Sequence, residues 1–95
     1  MRIEKGDINN WFVYILKCCD NTYYVGITND LSARVKKHSQ GKAAQYTAKR
    51  LPIKLVYYLG GYSQNDARKE EVILKDWRQE KKKKLINRLI IRNHY

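Results

Sequence analysis

Apolar positions along the chain fall into short blocks of two different periods. Trp11 to Lys17 and Tyr23 to Thr28 are rich in aromatic and β-branched residues and read as strands. Cys19-Asp20-Asn21-Thr22 between them reads as a turn, so the two predict a β-hairpin. Asn29 or Asp30 can cap a helix that runs to about Gln40, with Gly41 ending it. Lys42 to Arg50 is a polar, basic connection. Pro52 then introduces a third strand from Ile53 to Leu59, closed by Gly60-Gly61. Ser63 with Asp66 resembles a capping box for a second helix from about Asn65 to Gln79. Lys81 to Arg88 is a further helix or its continuation, and residues 1–10 are a polar lead-in. The order is ββαβαα. Three short strands cannot cover both faces of their own sheet, so helices must cover at least one. The expected fold is α+β, a small three-stranded antiparallel sheet flanked by helices.

Composition narrows the picture. The chain has 95 residues, enough for one domain with a core over about residues 11–88, and too few for a separate cofactor domain. With 43% hydrophobic and 12% aromatic residues it is not a disordered chain. Twenty Lys and Arg against nine Asp and Glu give a net charge of +11, which favours a polyanionic partner, nucleic acid before an anionic membrane surface. No apolar run approaches the ~20 residues of a membrane-spanning helix, and the first residues have no apolar signal-peptide core. Cys18 and Cys19 are adjacent, a poor geometry for a disulfide, and point to a reducing, cytoplasmic setting. With His38 and His94 as the only histidines, a zinc site is not expected.

The hairpin and the first helix hold the most informative spacing. Arg34 and His38, four residues apart, lie on one helical face. Tyr14, between Phe12 and Leu16, reads by itself as a core tyrosine. Tyr24 shares its strand face with Gly26, which leaves room beside a ring. The two tyrosines share one sheet face only if paired positions in the hairpin sum to an even number, which requires a loop of odd length or a bulge. On the second helix Ala67, Ile73, Leu74 and Trp77 form the expected apolar stripe, with Glu70 inside it and Glu71 at its edge.

These residues, in this order, resemble the GIY-YIG nuclease superfamily, and within it the small single-domain, YhbQ-like group. The first motif is carried by Val13-Tyr14-Ile15-Leu16, with Phe12-Val13 in place of the usual Gly-Ile. The second is Tyr24-Val25-Gly26. Asp30-Leu31, Arg34, His38, Tyr46-Thr47, Arg50 with Pro52, Leu55-Val56-Tyr57, and Ala67, Glu71, Leu74 and Lys75 follow at the family's spacing. The resemblance implies a metal-dependent endonuclease that hydrolyses phosphodiester bonds in DNA, with a setting in repair or recombination. It implies that Tyr14 and Tyr24 hold or activate water, that Arg34 stabilises the phosphate, and that Glu71 is an oxygen ligand for Mg²⁺ or Mn²⁺. An unperturbed tyrosine has a pKa near ~10, and His38 titrates closer to neutrality, so the general base stays open among Tyr14, Tyr24 and His38. Glu70 competes with Glu71 as the ligand; the family spacing selects Glu71.

Lys36, Lys37, Lys42, Lys49 and Arg50 cluster around the end of the first helix with Tyr46 and Thr47 among them. Cations interleaved with aromatics suit a phosphate track, and Thr47 is a candidate donor to a phosphate oxygen. The Lys81 to Lys84 run reads first as a solvated helix face. Many family members carry an asparagine beyond the glutamate helix, for which Asn87 and Asn93 are the nearby positions, with a poor local match. With no added DNA-binding domain, readout of DNA shape, branches, ends or single strands is expected ahead of base sequence. RNA and the oligomeric state stay open. The alternative is a non-catalytic nucleic-acid-binding module that retains the fold, although plain binding has no need of a carboxylate facing phosphate.

Overall fold

Alternation of side chains along two adjacent strands decides how this sheet is used. The structure, a computed structural model, describes residues 9–92, so residues 1–8 of the lead-in, together with Asn93 and His94, lie outside it. Strands β1 (Trp11–Lys17) and β2 (Tyr23–Thr28) pair antiparallel as expected, and β3 (Lys54–Tyr62) pairs antiparallel with the other side of β1. The sheet order is β2-β1-β3, which leaves β2 at an edge. The hairpin loop closes through Cys18 N–H to the Thr22 carbonyl at 2.8 Å and Asn21 N–H to the Cys18 carbonyl at 3.0 Å. Asn21 takes a left-handed φ of 66°, which asparagine tolerates better than most residues.

β3 runs through Gly60-Gly61 instead of stopping there. Trp11 pairs with Tyr62 and Val13 with Leu59, so two residues of β3 face Phe12 alone, a β-bulge. The glycines make it possible: Gly61 has φ +87°, and a Cβ on Gly60 would lie 2.6 Å from the Phe12 ring. A second register shift sits between Ile15 and Leu16, opposite Val56.

Helix α1 (Leu31–Ser39) begins at Asp30, whose carboxylate accepts from Ala33 N–H at 3.2 Å. It ends in a Schellman arrangement: Gly41, at φ +73°, donates to the His38 carbonyl, and Lys42 N–H donates to that of Lys37. The basic connection that follows contains a four-residue helix, α2 (Gln45–Ala48), that its polar pattern does not announce. α3 (Gln64–Asp76) is capped by Ser63, whose hydroxyl accepts from Asp66 N–H at 3.1 Å. It stops three residues earlier than its pattern suggests, because Trp77 is extended at ψ 142° and separates it from α4 (Gln79–Arg92).

Val13, Ile15 and Val25 pack against Ala67, Leu74 and Ile86, which puts the main core between one sheet face and helices α3 and α4. Ile73 departs from the expected stripe and is about half exposed. The buried line of α3 runs through Ala67 and Leu74, seven residues apart, with Glu70, Glu71 and Trp77 half-buried around it. The helix is therefore rolled relative to its hydrophobic pattern, away from Ile73 and towards Glu71. A three-stranded sheet is too narrow to cover both flanks of a helix.

Candidate active site

Tyr14 pairs with Gly26 and Leu16 with Tyr24, so paired positions sum to an even number across a five-residue loop. Both tyrosines stand on the face opposite the main core. The pairing also fixes the role of Gly26. A Cβ there would lie 2.5 Å from Cζ and the hydroxyl oxygen of Tyr14. The space Gly26 leaves is thus occupied by the Tyr14 ring rather than reserved beside Tyr24.

Three buried side chains form a continuous hydrogen-bonded line. The Tyr14 hydroxyl lies 2.8 Å from His38 Nε2, and His38 Nδ1 lies 2.8 Å from Thr47 Oγ1. The Thr47 hydroxyl donates its single proton to the Ala44 carbonyl at 3.2 Å. A carbonyl only accepts, so direction propagates back along the line. Thr47 Oγ1 accepts from Nδ1–H, Nε2 is left unprotonated, and the Tyr14 hydroxyl donates to it. The three residues are each 1% exposed or less. Burial, helped by the nearby Arg34 cation, lowers the pKa of His38 below its ordinary value and favours the neutral ring this line requires. Burial raises that of Tyr14 well above the ordinary phenol; Tyr24 and Glu71 push the same way, and Arg34 opposes them. Tyr14 is thus a neutral phenol at pH 7, with its proton already aimed at a vacant nitrogen.

Arg34 and Glu71 both act electrostatically on that phenol, the cation favouring its charged form and the carboxylate opposing it. Arg34 is exposed on α1, one turn before His38. Glu71 projects from α3 with its side chain 22% exposed and pairs with Lys75 Nζ at 3.4 Å. Among the described residues no group of three His, Cys, Asp or Glu side chains gathers around one point. A lone carboxylate suits a hard ion that keeps most of its water, as Mg²⁺ does.

Tyr24 belongs to an aromatic ladder. Its ring meets the His38 ring edge-on at 5.1 Å and stacks on Tyr46 at 6.2 Å. The Arg50 guanidinium lies 3.8 Å over the Tyr46 ring, donates to the Tyr46 carbonyl at 3.0 Å and pairs with Asp20 at 3.0 Å. Arg50 is thereby engaged in holding Tyr46. Lys36, Lys37, Lys42 and Lys49 are exposed around this wall. Thr47 does not take the expected place at the surface. It is fully buried behind His38 with its hydroxyl doubly engaged, a position that orients the imidazole and offers nothing to a phosphate.

A cleft of about 360 Å³ opens beside the ladder, lined by Tyr23, Tyr24, Val25 and Tyr46 with Lys75, Gln79 and Lys82. Asn87 is exposed on α4 and is not among its lining residues. Lys82 was hidden in the sequence by its three lysine neighbours; only the helical phase of α4 against the sheet distinguishes it. A further cavity of about 470 Å³, at Trp77 and the basic side of α4, is lined by none of Tyr14, Tyr24, Arg34, His38 or Glu71.

The model of the GIY-YIG catalytic domain matches residues 10–84. The UPF0213 protein YazA of Bacillus subtilis (strain 168) is 41% identical over 76 residues, which cover 80% of this chain and 77% of YazA. A UPF0213 protein of Staphylococcus aureus (strain N315), SA0446, is 40% identical over 79 residues, 83% of this chain and 96% of that protein. The solution NMR structure of the UPF0213 protein BH0048 from Bacillus halodurans is similar with a TM-score of 0.52 at 39% identity, covering 81% of this chain and 82% of that one.

Proposed function

The chain belongs to the GIY-YIG catalytic-domain family, and from that premise we propose that it is a metal-dependent endonuclease hydrolysing phosphodiester bonds in DNA. The observation that carries the proposal is the buried Tyr14–His38–Thr47 line, with Arg34 and Glu71 both acting electrostatically on the same phenol.

The reaction needs a proton removed from water and negative charge stabilised on a pentacovalent phosphate. Tyr14 cannot serve as a standing phenolate, because its surroundings favour the protonated form. It can serve as a relay. As water attacks phosphorus, its proton passes to the Tyr14 oxygen while the phenolic proton passes to His38 Nε2. His38 becomes imidazolium, its Nδ1–H still held by Thr47, and the bond from phosphorus to the leaving oxygen breaks, that oxygen taking a proton from solvent water as His38 later returns its own to solvent. Arg34 offsets charge on the phosphate, and its permanent charge and planar fork suit that role. Tyr24, one wall of the cleft, positions the attacking water or the strand. Glu71 would hold Mg²⁺ or Mn²⁺, which when bound supplies positive charge to the phosphate and its water. Lys75 pairs with Oε2, which leaves Oε1 for the ion.

Exposed Lys36, Lys37, Lys42 and Lys49, with Tyr46 between them, would follow the strand on either side. The net charge of +11 supports non-specific binding with a steep salt dependence. With these contacts made to the backbone, selection would rest on the shape of the DNA, consistent with a repair or recombination substrate. Cys18 and Cys19 are both free, which suits a reducing compartment such as the cytoplasm. Among the described residues no helix is long and apolar enough to cross a membrane.

The test is cleavage of labelled duplex, single-stranded, nicked and branched DNA, with RNA counterparts, in Mg²⁺, Mn²⁺ or chelator. Metal-dependent cutting is expected to be lost in Arg34→Ala and Glu71→Ala, with binding largely retained by Glu71→Ala. Tight, salt-sensitive binding without cutting of any substrate by the wild type would leave a binding module that retains the fold.

A further inference from the structure

Among the cations of the C-terminal helix, one is set apart by burial. Lys81, Lys83 and Lys84 are exposed, whereas Lys82 is only 8% exposed. A lysine is rarely buried to this extent unless an acid pairs with it. Among the described residues the ion pairs are Arg50–Asp20 and Lys75–Glu71, and no buried side-chain nitrogen or oxygen lacks a partner, so the covered part of Lys82 is its stem and the ammonium itself reaches the cleft. Burial disfavours its charged form and pulls its pKa below the ordinary lysine value. The fold therefore covers the stem of this lysine and leaves its ammonium at the cleft with no acidic partner among the described residues. The side chain lines the cleft walled by Tyr24 and Tyr46. Lys75, on the same wall, is already paired with Glu71.

We propose that Lys82 is a phosphate-binding residue of this cleft, its ammonium receiving one phosphodiester of a nucleic-acid strand that passes along Tyr24 and Tyr46. An arriving phosphate supplies a counter-charge to an ammonium whose stem is already held by packing, so the contact costs less side-chain ordering than one made by a fully exposed lysine. The aromatic rings alongside offer bases a stacking surface. The proposal rests on the reading of the cleft as a nucleic-acid site, and not on the strand being cut there.

The test compares Lys82→Met with Lys83→Met, two variants with the same charge change on adjacent residues. Affinity for a labelled single-stranded oligonucleotide is measured in chelator over a range of salt. Lys82→Met is expected to make the plot of log affinity against log salt shallower by about one phosphate contact, and Lys83→Met by much less. Its melting temperature is expected to hold, because methionine keeps the covered stem and only the ammonium at the cleft is removed. Should Lys82→Met not fold, ¹³C-labelled wild type gives the same answer: bound oligonucleotide is expected to raise the pKa read at the Lys82 ε-carbon. Equal slopes for the two variants, or a Lys82 resonance indifferent to bound oligonucleotide, would overturn the proposal. A wild type that binds in chelator through Lys82 but cuts nothing in Mg²⁺ or Mn²⁺ would uphold this contact and reject the endonuclease. Cutting with Lys82→Met behaving as Lys83→Met does would reject the contact alone.

Discussion

On one face of the sheet Val13, Ile15 and Val25 meet Ala67, Leu74 and Ile86; on the other, Tyr14 meets His38 and His38 meets Thr47. The first contact is apolar and non-directional. Its energy grows with area removed from water, and many side-chain sets of similar volume would satisfy it. The second depends on donors and acceptors alternating in order, and one substitution leaves a buried polar group without a partner. Both faces belong to the same two hairpin strands, so a residue's parity along the strand decides which physics it serves. The difference teaches that this chain keeps its main apolar core and its buried hydrogen-bonded line on opposite sides of one thin sheet. Glu71 and Lys82 come from the helices of the apolar side, and their influence reaches the polar side near the free edge of β2.

That separation can be broken by substitution. Tyr14→Phe should give the largest effect, a fall in cleavage rate of about 10²–10⁴-fold, the usual worth of a positioned acid–base group. Its stability cost should be smaller, about 1–3 kcal/mol, for leaving His38 Nε2 unpaired. Cleavage that survives Tyr14→Phe would move the relay to Tyr24. Leu74→Ala should do the reverse, costing about 2–5 kcal/mol in a denaturant titration and leaving the cleavage rate per folded molecule nearly unchanged. Activity and stability falling together in both variants would mean that the faces are not separate.

The smallest effect sharpens the comparison through pH. The fold lowers the pKa of His38 below its unfolded value, so the contribution of the neutral ring is complete above about 6.5. It is lost as pH falls through the folded-state value. Tyr14 is shifted the other way, so its contribution is complete below about 10 and is lost as pH rises beyond it. Burial raises Tyr57 and Tyr62 on the apolar face as well, so the His38 window is the one that separates the two faces. ¹⁵N spectra of labelled histidine should show His38 protonated at Nδ1 and titrating below an ordinary histidine. An ordinary titration, or a proton on Nε2, would contradict the relay.

Much of this arrangement was legible in the chain. The hairpin boundaries, the Asp30 and Ser63 caps and Gly41 at the end of α1 are written in local residue types, because each satisfies a backbone requirement within a few positions. The even sum that unites Tyr14 and Tyr24 follows from the length of one loop. The end of β3 was not legible: Gly60-Gly61 has the signature of a turn, and only the Phe12 ring on the neighbouring strand makes it a bulge. The phase of α3 was not legible either, since Ile73 and Glu71 flank the stripe and the width of the sheet chose between them.

By itself, then, the sequence determined the two hairpin strands, the capped starts of α1 and α3, the shared face of the two tyrosines, the pairing of Arg34 and His38 on one helix, and the excess of positive charge. These depend on spacing within an element or on composition, and both survive without knowledge of what lies opposite. The tertiary structure alone decided that His38 faces Tyr14 with Nε2 free, that Thr47 stands behind it and not at the surface, and that Lys82 is the buried lysine of its run. Each of those facts depends on how one element is rotated and seated against another, many residues away, and close packing fixes that rotation only when the whole chain is in place.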